Sequence, residues 1–325
     1  MSAVWQERLG GAWESLAERP AQARSYRTLS LAPACPMDAY AGLRAIDNAP
    51  CLLIRCEAPE ELLFESNGLR LYIDHDEQGA LLALALEDPA QRDLFTQLCA
   101  DAVDTAGSDA SLALGRFHAR LNSWRSFLRE RRNGLSIEET VGLIGELLVL
   151  ERLLALHPGL LANWLAPDPA LHDFVKAGHG LEIKTSRGPS SRLHISSLDQ
   201  LDDSGLRRLD LVSVRLFDDP EGRTISDILA ALKALLPDET AMQTLDNAVL
   251  RRGLKPDDEH ARSGLRISLR SLDAYTVDDR FPRLLRNQVP LAISDASYAL
   301  ERRALDEFAA EADSCFSLFA AGSAA

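Results

Sequence analysis

Apolar positions recur with two different periods along the chain, and the changes between them set the order of elements. Residues 5–19 place Trp5, Leu9, Trp13 and Leu16 at helical spacing, which predicts a short amphipathic helix. From Thr28 to Leu86 the apolar runs become short. Segments 28–31, 51–55, 69–73 and 81–86 read as strands, separated by turn-forming breaks such as Ser66-Asn67-Gly68 and Asp76-Glu77-Gln78-Gly79. Two helices are predicted next, over about 89–106 and 110–131, and the break at 106–109 is the expected domain boundary.

The following helix carries its own start and stop signals. Ser136 with Glu139 three residues on forms a capping box. Val141, Ile144, Leu147, Leu148 and Leu150 then continue a helix to His157-Pro158-Gly159. Strands are predicted at 171–175, 181–185 and 192–196, then a short helix at 197–201 and a long apolar strand at 209–216. Helices near 225–236 and 239–251, a strand near 265–271 and a C-terminal helix near 302–319 complete the chain. No internal repeat interrupts this order. The expected organisation is α/β (α+β): an N-terminal α+β domain over 1–108, a core over 109–260, and a C-terminal extension over 261–325 packed on that core.

Composition narrows the class. The 325 residues are 46% apolar and 26% charged, as in folded globular proteins and unlike disordered ones. The apolar run at 80–86 is too short to span a bilayer, and the first residues lack a basic start followed by an apolar stretch. A cytoplasmic protein without membrane contact is therefore expected. Five scattered cysteines include no Cys-x-x-Cys pair, so reduced core cysteines are expected rather than a zinc cluster or disulfide framework. The formal net charge of −14 opposes non-specific binding to polyanions. Its distribution is uneven, at −8 over 1–120, 0 over 121–200 and −6 over the remainder. The neutral middle opens with Arg125, Arg129, Arg131 and Arg132. Only four of the 35 basic residues are lysines, so Lys184 stands out. No phosphate loop, dinucleotide fingerprint or nucleophile elbow is present, which removes the sequence basis for ATPase, dehydrogenase or serine-hydrolase chemistry.

One stretch carries candidate chemistry. On a strand, residues two apart point to one face, so Glu182 and Lys184 project together while Ile183 turns away. A hairpin through 178–180 can set Asp173 beside Glu182. Two such carboxylates suit Mg²⁺, a hard ion that favours oxygen ligands, with Mn²⁺ as a substitute. Lys184 can stabilise negative charge on a phosphate. Glu146 follows Gly142 and Gly145 in an apolar helix. Each glycine costs roughly 1 kcal/mol relative to alanine there, so close approach to a sheet is expected and would deliver a third carboxylate. A Glu-x-Lys pair alone is usually a solvated ion pair; the upstream Asp173, the glycine-flanked Glu146 and the element order reverse that reading. For His172, an alternate-face position or a DNA contact is preferred over metal ligation. His194 is expected to face away from the site more readily than toward it. Arg125, Arg129 and Arg132 share a helix face that suits either phosphate or solvent. Ser186, Arg187 and Arg192 adjoin the site strands and are candidate phosphate contacts.

This arrangement resembles the PD-(D/E)XK nuclease superfamily of restriction and repair enzymes over roughly 136–217. More narrowly it is similar to the bacterial "PD-(D/E)XK motif protein" family found among restriction and phage-defence genes. The residues carrying the closer match are Gly145-Glu-Leu-Leu148, Trp164, His172-Asp-Phe174, Leu181-Glu-Ile-Lys-Thr-Ser186 and Ile195-Ser-Ser-Leu-Asp-Gln-Leu201. The resemblance implies a restriction-endonuclease-like αβββαβ core in which Asp173 and Glu182 hold Mg²⁺, Lys184 is catalytic, and Glu146 and Gln200 are auxiliary. It implies DNA as substrate, other defence-system proteins as partners, and room for a homodimer. His172 stands where the family name has proline. Asp168, in Ala166-Pro-Asp-Pro169, matches the literal "PD" but sits between prolines, so Asp173 is preferred. The expected function is a Mg²⁺-dependent DNA endonuclease of a restriction or anti-phage system. A catalytically silent DNA-binding or assembly subunit is the alternative, which the acidic balance favours.

Overall fold

The computed structural model describes residues 2–19, 25–58, 60–130, 134–164, 172–189, 191–256 and 258–322. The chain forms two compact units, Met1–Asn133 and Gly134–Ala325.

In the first unit the alternating segments become β1 (Tyr26–Ser30), β2 (Ala39–Arg44), β3 (Pro50–Arg55), β4 (Phe64–Ser66), β5 (Leu69–Asp76) and β6 (Gly79–Leu86). These six described strands form an antiparallel sheet in the order β1-β2-β3-β6-β5-β4. Helices α1 (Ser2–Ala17), α2 (Arg92–Ala106) and α3 (Ala110–Glu130) complete the unit. Trp13 of α1 meets Phe95 of α2 at a centroid distance of 5.3 Å. The break at 106–109 separates two helices without separating two units. Phe117, Leu121, Trp124 and Phe127 bury one face of α3. Arg120 grips Asp101 of α2 at 2.6 Å, and Trp124 Nε1 donates to the same carboxylate at 2.6 Å. A helix clamped through a buried ion pair stays with its partner, so the division falls beyond α3.

The second unit is built on α4 (Ile137–Leu156), which begins as its sequence predicts. Ser136 Oγ accepts the Glu139 N–H at 3.2 Å, and Glu139 Oε2 accepts the Ser136 N–H at 2.9 Å. The helix is buried along most of its length. Among the described residues five strands form the main sheet: β7 (Phe174–Lys176), β8 (His179–Arg187), β10 (Arg208–Arg223), β11 (Ile267–Thr276) and β13 (Ala309–Ala310). Their order is β13-β11-β10-β8-β7, with β8 and β10 parallel. Val212 and Val214 share a cluster with α4, α5 (Ile225–Ala234) and α8 (Ala312–Ala321) on one face. Leu209, Leu211 and Tyr275 join a second cluster on the other. Helices α6 (Glu239–Arg251) and α7 (Glu259–Ser263) lie between β10 and β11 in the chain.

The segment expected as the third strand of one continuous sheet, β9 (Arg192–Ile195), instead pairs with β12 (Tyr298–Glu301) in a separate ribbon. Both hydrogen-bonding edges of β8 are already taken, by β7 and β10. The expected terminal helix is divided into a 3₁₀ turn at Arg302–Phe308, the short β13 and α8. Pairing of Ala309 and Ala310 with β11 removes those residues from helix, and Glu311 recaps α8 by accepting the Ser314 N–H at 2.9 Å. Residues beyond 260 thus complete the main sheet and cover α4. The five cysteines are unpaired, four of them buried. Among the described residues no helix is long and apolar enough to cross a membrane.

The turn between β7 and β8 sets the register of the site. Ala177 and Gly178 both adopt positive φ, 49° and 82°, as a two-residue type I′ hairpin requires. Alanine carries a cost of about 1–2 kcal/mol in that conformation. Ala177→Asn is expected to raise the unfolding free energy by about 1 kcal/mol, measured as a higher urea midpoint at unchanged slope.

Candidate active site

The hairpin pairs Phe174 with Leu181, which leaves Asp173, one residue earlier, opposite Glu182. Asp173 Oδ2 accepts the Ile183 N–H at 2.8 Å, so its carboxylate continues the ladder where the β7 backbone stops. Glu182 and Lys184 share one side of β8, and Lys184 Nζ donates to Glu182 Oε1 at 2.7 Å. Both are sheltered, with side chains 4% and 13% exposed.

Helix α4 brings Glu146 to the same place. An ideal Cβ on Gly145 would lie 1.8 Å from Thr185 Oγ1, so α4 sits on β8 at a separation only glycine permits. Gly142, by contrast, faces open space, and its presence has no packing explanation. Gly145→Ala is expected to destabilise the protein by about 2–3 kcal/mol through overpacking, seen as a lowered thermal midpoint. Gly142→Ala should instead be neutral or stabilising.

Trp164 Nε1 donates to Glu146 Oε2 at 2.9 Å. Arg252, just past the end of α6, donates through Nη2 to the same Glu146 oxygen and to Asp173 Oδ1, the latter at 3.0 Å. Burial pushes the Asp173 carboxyl well above its usual range, and the neighbouring Glu146 and Glu182 charges push it further; Arg252 and the Ile183 N–H oppose them. Burial alone would weaken the Arg252 charge, but Glu146 and Asp173 hold the guanidinium above its ordinary value. His172 is buried with its Nδ1 3.8 Å from Glu182 Oε2 and without a hydrogen-bond partner. Three carboxylates, from α4, the start of the hairpin and β8, thus gather around Asp173, with Arg252 bridging Glu146 and Asp173 and Lys184 held on Glu182.

The family profile described as "Putative PD-(D/E)XK family member, (DUF4420)" matches residues 10–302. The chain belongs to this family. No curated protein and no solved structure matches it. Membership covers the mixed α/β architecture and the nuclease-like class of the fold.

In this family member the remaining sequence candidates lie apart from the carboxylate cluster or are engaged elsewhere. Gln200 lies in a 3₁₀ turn (Leu198–Leu201), and its Oε1 accepts the Ser196 N–H at 2.8 Å, closing its own turn. Arg187 is paired with Asp218 at 2.7 Å and Arg192 with Glu301 at 2.7 Å, all four side chains at least one-third exposed. Ser186 Oγ accepts from Arg302 Nη2 at 2.9 Å. His194 is exposed, whereas Leu193 and Ile195 beside it are buried. Arg125 and Arg129 lie on α3 in the first unit. Arg131, Arg132 and Asp168 fall outside the described residues.

Sequence reasoning missed Arg252 and the role of Trp164. Arg252 stands in Arg251-Arg252-Gly253, a basic helix end followed by glycine, which reads as dipole compensation and capping. Nothing local marks it as a partner of residues 79 and 106 positions away.

A second group of ligand-type side chains, His179, Asp210 and Cys315, is buried together. His179 Nε2 lies 2.7 Å from Asp210 Oδ2, Cys315 Sγ lies 3.4 Å from it, and Arg208 grips Asp210 at 2.6 and 3.0 Å. Burial opposes the Asp210 charge, but His179 and Arg208 hold its carboxyl below the ordinary value. Burial and the adjacent Asp210 push the Cys315 thiol up. With Arg208 supplying the countercharge, this group is a closed ionic knot at the start of β8 and β10 rather than a cation site.

Proposed function

We propose that this protein is a metal-dependent DNA endonuclease acting in a bacterial restriction or anti-phage system. The observation that carries the reading is the gathering of Glu146 and Glu182 beside Asp173, with Lys184 held on Glu182. The donor set fits a divalent ion of the Mg²⁺ type: three oxygen-donor carboxylates, the buried Asp173 among them held close to the Glu146 and Glu182 charges, and a guanidinium already drawn between two of them. Asp173 and Glu182 would hold the ion, with Glu146 auxiliary, and the ion would polarise the scissile phosphate and acidify a bound water.

The protein's own groups prepare that site. The Ile183 N–H orients Asp173, and the Trp164 indole orients Glu146. Lys184, held against Glu182, presents its ammonium to a phosphate oxygen as negative charge grows there. Low exposure strengthens this interaction, because fewer waters screen it.

The alternative, a catalytically silent DNA-binding or assembly subunit, is favoured by the Arg252 bridge, since a guanidinium shared by two carboxylates can serve as a purely structural ion pair. Plasmid cleavage in Mg²⁺ and Mn²⁺, run beside EDTA controls, separates the two. Metal-dependent nicking supports the enzyme. Absence of nicking together with absence of Mn²⁺ uptake by calorimetry supports the subunit.

A further inference from the structure

Arg302 is a buried cation with no anion. It is 8% exposed and begins the 3₁₀ turn after β12, where its N–H donates to Ser191 O at 2.9 Å. Its Nη1 donates to Ser213 Oγ and its Nη2 to Ser186 Oγ, while Nε has no partner. Among the described residues no carboxylate lies within ion-pair distance of it. Asp273, whose charge acts on Arg302, pairs with Arg215, whose Nε lies 3.5 Å from it. An unpaired buried charge is costly, and the comparably buried Arg283 pairs with Asp203 and the Leu201 carbonyl.

The surroundings identify the missing anion. Ser213 of β10 is in register with Lys184 of β8, and Ser186 lies two residues beyond Lys184 on the same face. Lys184, Ser186, Ser213 and Arg302 therefore form one polar strip across the sheet. It begins at the Glu182–Lys184 pair and ends in the Arg302 guanidinium, whose hydrogen-bond partners in the protein are uncharged hydroxyls. Burial lowers the Arg302 pKa from its ordinary value and the Arg215 charge acts in the same direction, against the opposing Tyr275 hydroxyl, which also hydrogen-bonds to it, and the Asp273 charge; an incoming anion would relieve the first two effects.

Resting on the nuclease reading above, we propose that Arg302, steadied by Ser186 and Ser213, is a phosphate-binding residue that receives a backbone phosphate of DNA beside Lys184. Guanidinium suits this task because its planar donors match phosphate oxygens. The two serine hydroxyls hold it in place without neutralising it, so its charge stays available. The free protein carries an unmatched charge that bound DNA would complete.

The test compares full-length wild type, Arg302→Met and Arg302→Lys. Each is titrated against a short fluorescein-labelled duplex by anisotropy, in Ca²⁺ and at several salt concentrations, with thermal midpoints measured alongside. Arg302→Met is expected to bind about tenfold more weakly, with the slope of log affinity against log salt shallower by about 0.9. Its thermal midpoint should equal or exceed that of wild type, since an unpaired buried charge has been removed. Arg302→Lys should retain the salt slope and recover part of the affinity. Unchanged affinity and slope in Arg302→Met, or loss of its fold, would assign Arg302 a structural role and overturn the proposal. A wild type that neither binds the duplex nor cuts plasmid would bring down the nuclease reading itself. Normal wild-type binding with an unaffected Arg302→Met would bring down this inference alone.

Discussion

Lys184→Ala is expected to lower the rate of metal-dependent plasmid cleavage by about 100- to 1000-fold, the range seen when one preorganised donor to a developing anion is removed. The geometry makes a stronger statement than loss of activity. Lys184 contacts Glu182 at 2.7 Å, so its removal leaves that carboxylate without its cation. Affinity for Mn²⁺, measured by calorimetry, should therefore be retained or increased while cleavage is lost. Asp173→Ala should behave differently, losing both cleavage and much of the Mn²⁺ affinity. Cleavage at wild-type rates by either variant would remove these residues from the chemistry. Parallel loss of Mn²⁺ affinity in Lys184→Ala would mean that the lysine supports the site structurally.

The second large effect concerns Arg252. Arg252→Met in metal-free buffer is expected to cost about 3–5 kcal/mol of stability, the range for removing one partner of a buried ion pair. Glu146 and Asp173 would be left facing each other and Glu182 with no intervening cation. Two consequences distinguish this from simple loss of packing. Divalent metal should restore much of the lost stability, because an ion that binds only the folded state stabilises it by mass action. Acidification should narrow the gap between variant and wild type. Arg252 is one of the groups that oppose the raised Asp173 pKa, so without it Asp173 takes up a proton more readily, and the neutral form relieves the repulsion. The gap should thus widen as pH rises and Asp173 loses its proton. Urea unfolding in EDTA and in Mn²⁺, at neutral and mildly acidic pH, provides the check. A variant as stable as wild type in EDTA would show that the bridge does not hold the site together.

The two arginines at this end of the chemistry differ in kind. Arg252 satisfies its charge on two carboxylates of the cluster, whereas Arg302 spends its donors on neutral hydroxyls. Removal of the first should destabilise the free protein, and removal of the second should not. Measured together, the two variants serve as internal controls for each other.

Local patterns in the amino-acid sequence determined much of this protein. The Ser136–Glu139 capping box, the period of α4, the hairpin ahead of β8 and the Glu182–Lys184 pairing depend on residues a few positions apart, where dihedral preference and side-chain alternation act directly. Asp173 and Glu146 were also readable, because one lies across a short hairpin and the other follows Gly145, whose close approach to β8 the same reasoning wrongly extended to Gly142. Tertiary structure alone decided the rest. It carried α3 into the first unit through the Asp101–Arg120 pair, moved β9 out of the main sheet because both edges of β8 were occupied, and left Gln200 closing its own turn. It brought Arg252 to Asp173 and Arg302 to Ser186 across 79 and 116 residues. No local period or propensity encodes such pairs. They arise because a buried charge must find a countercharge or a hydrogen-bond acceptor wherever the packed elements place one.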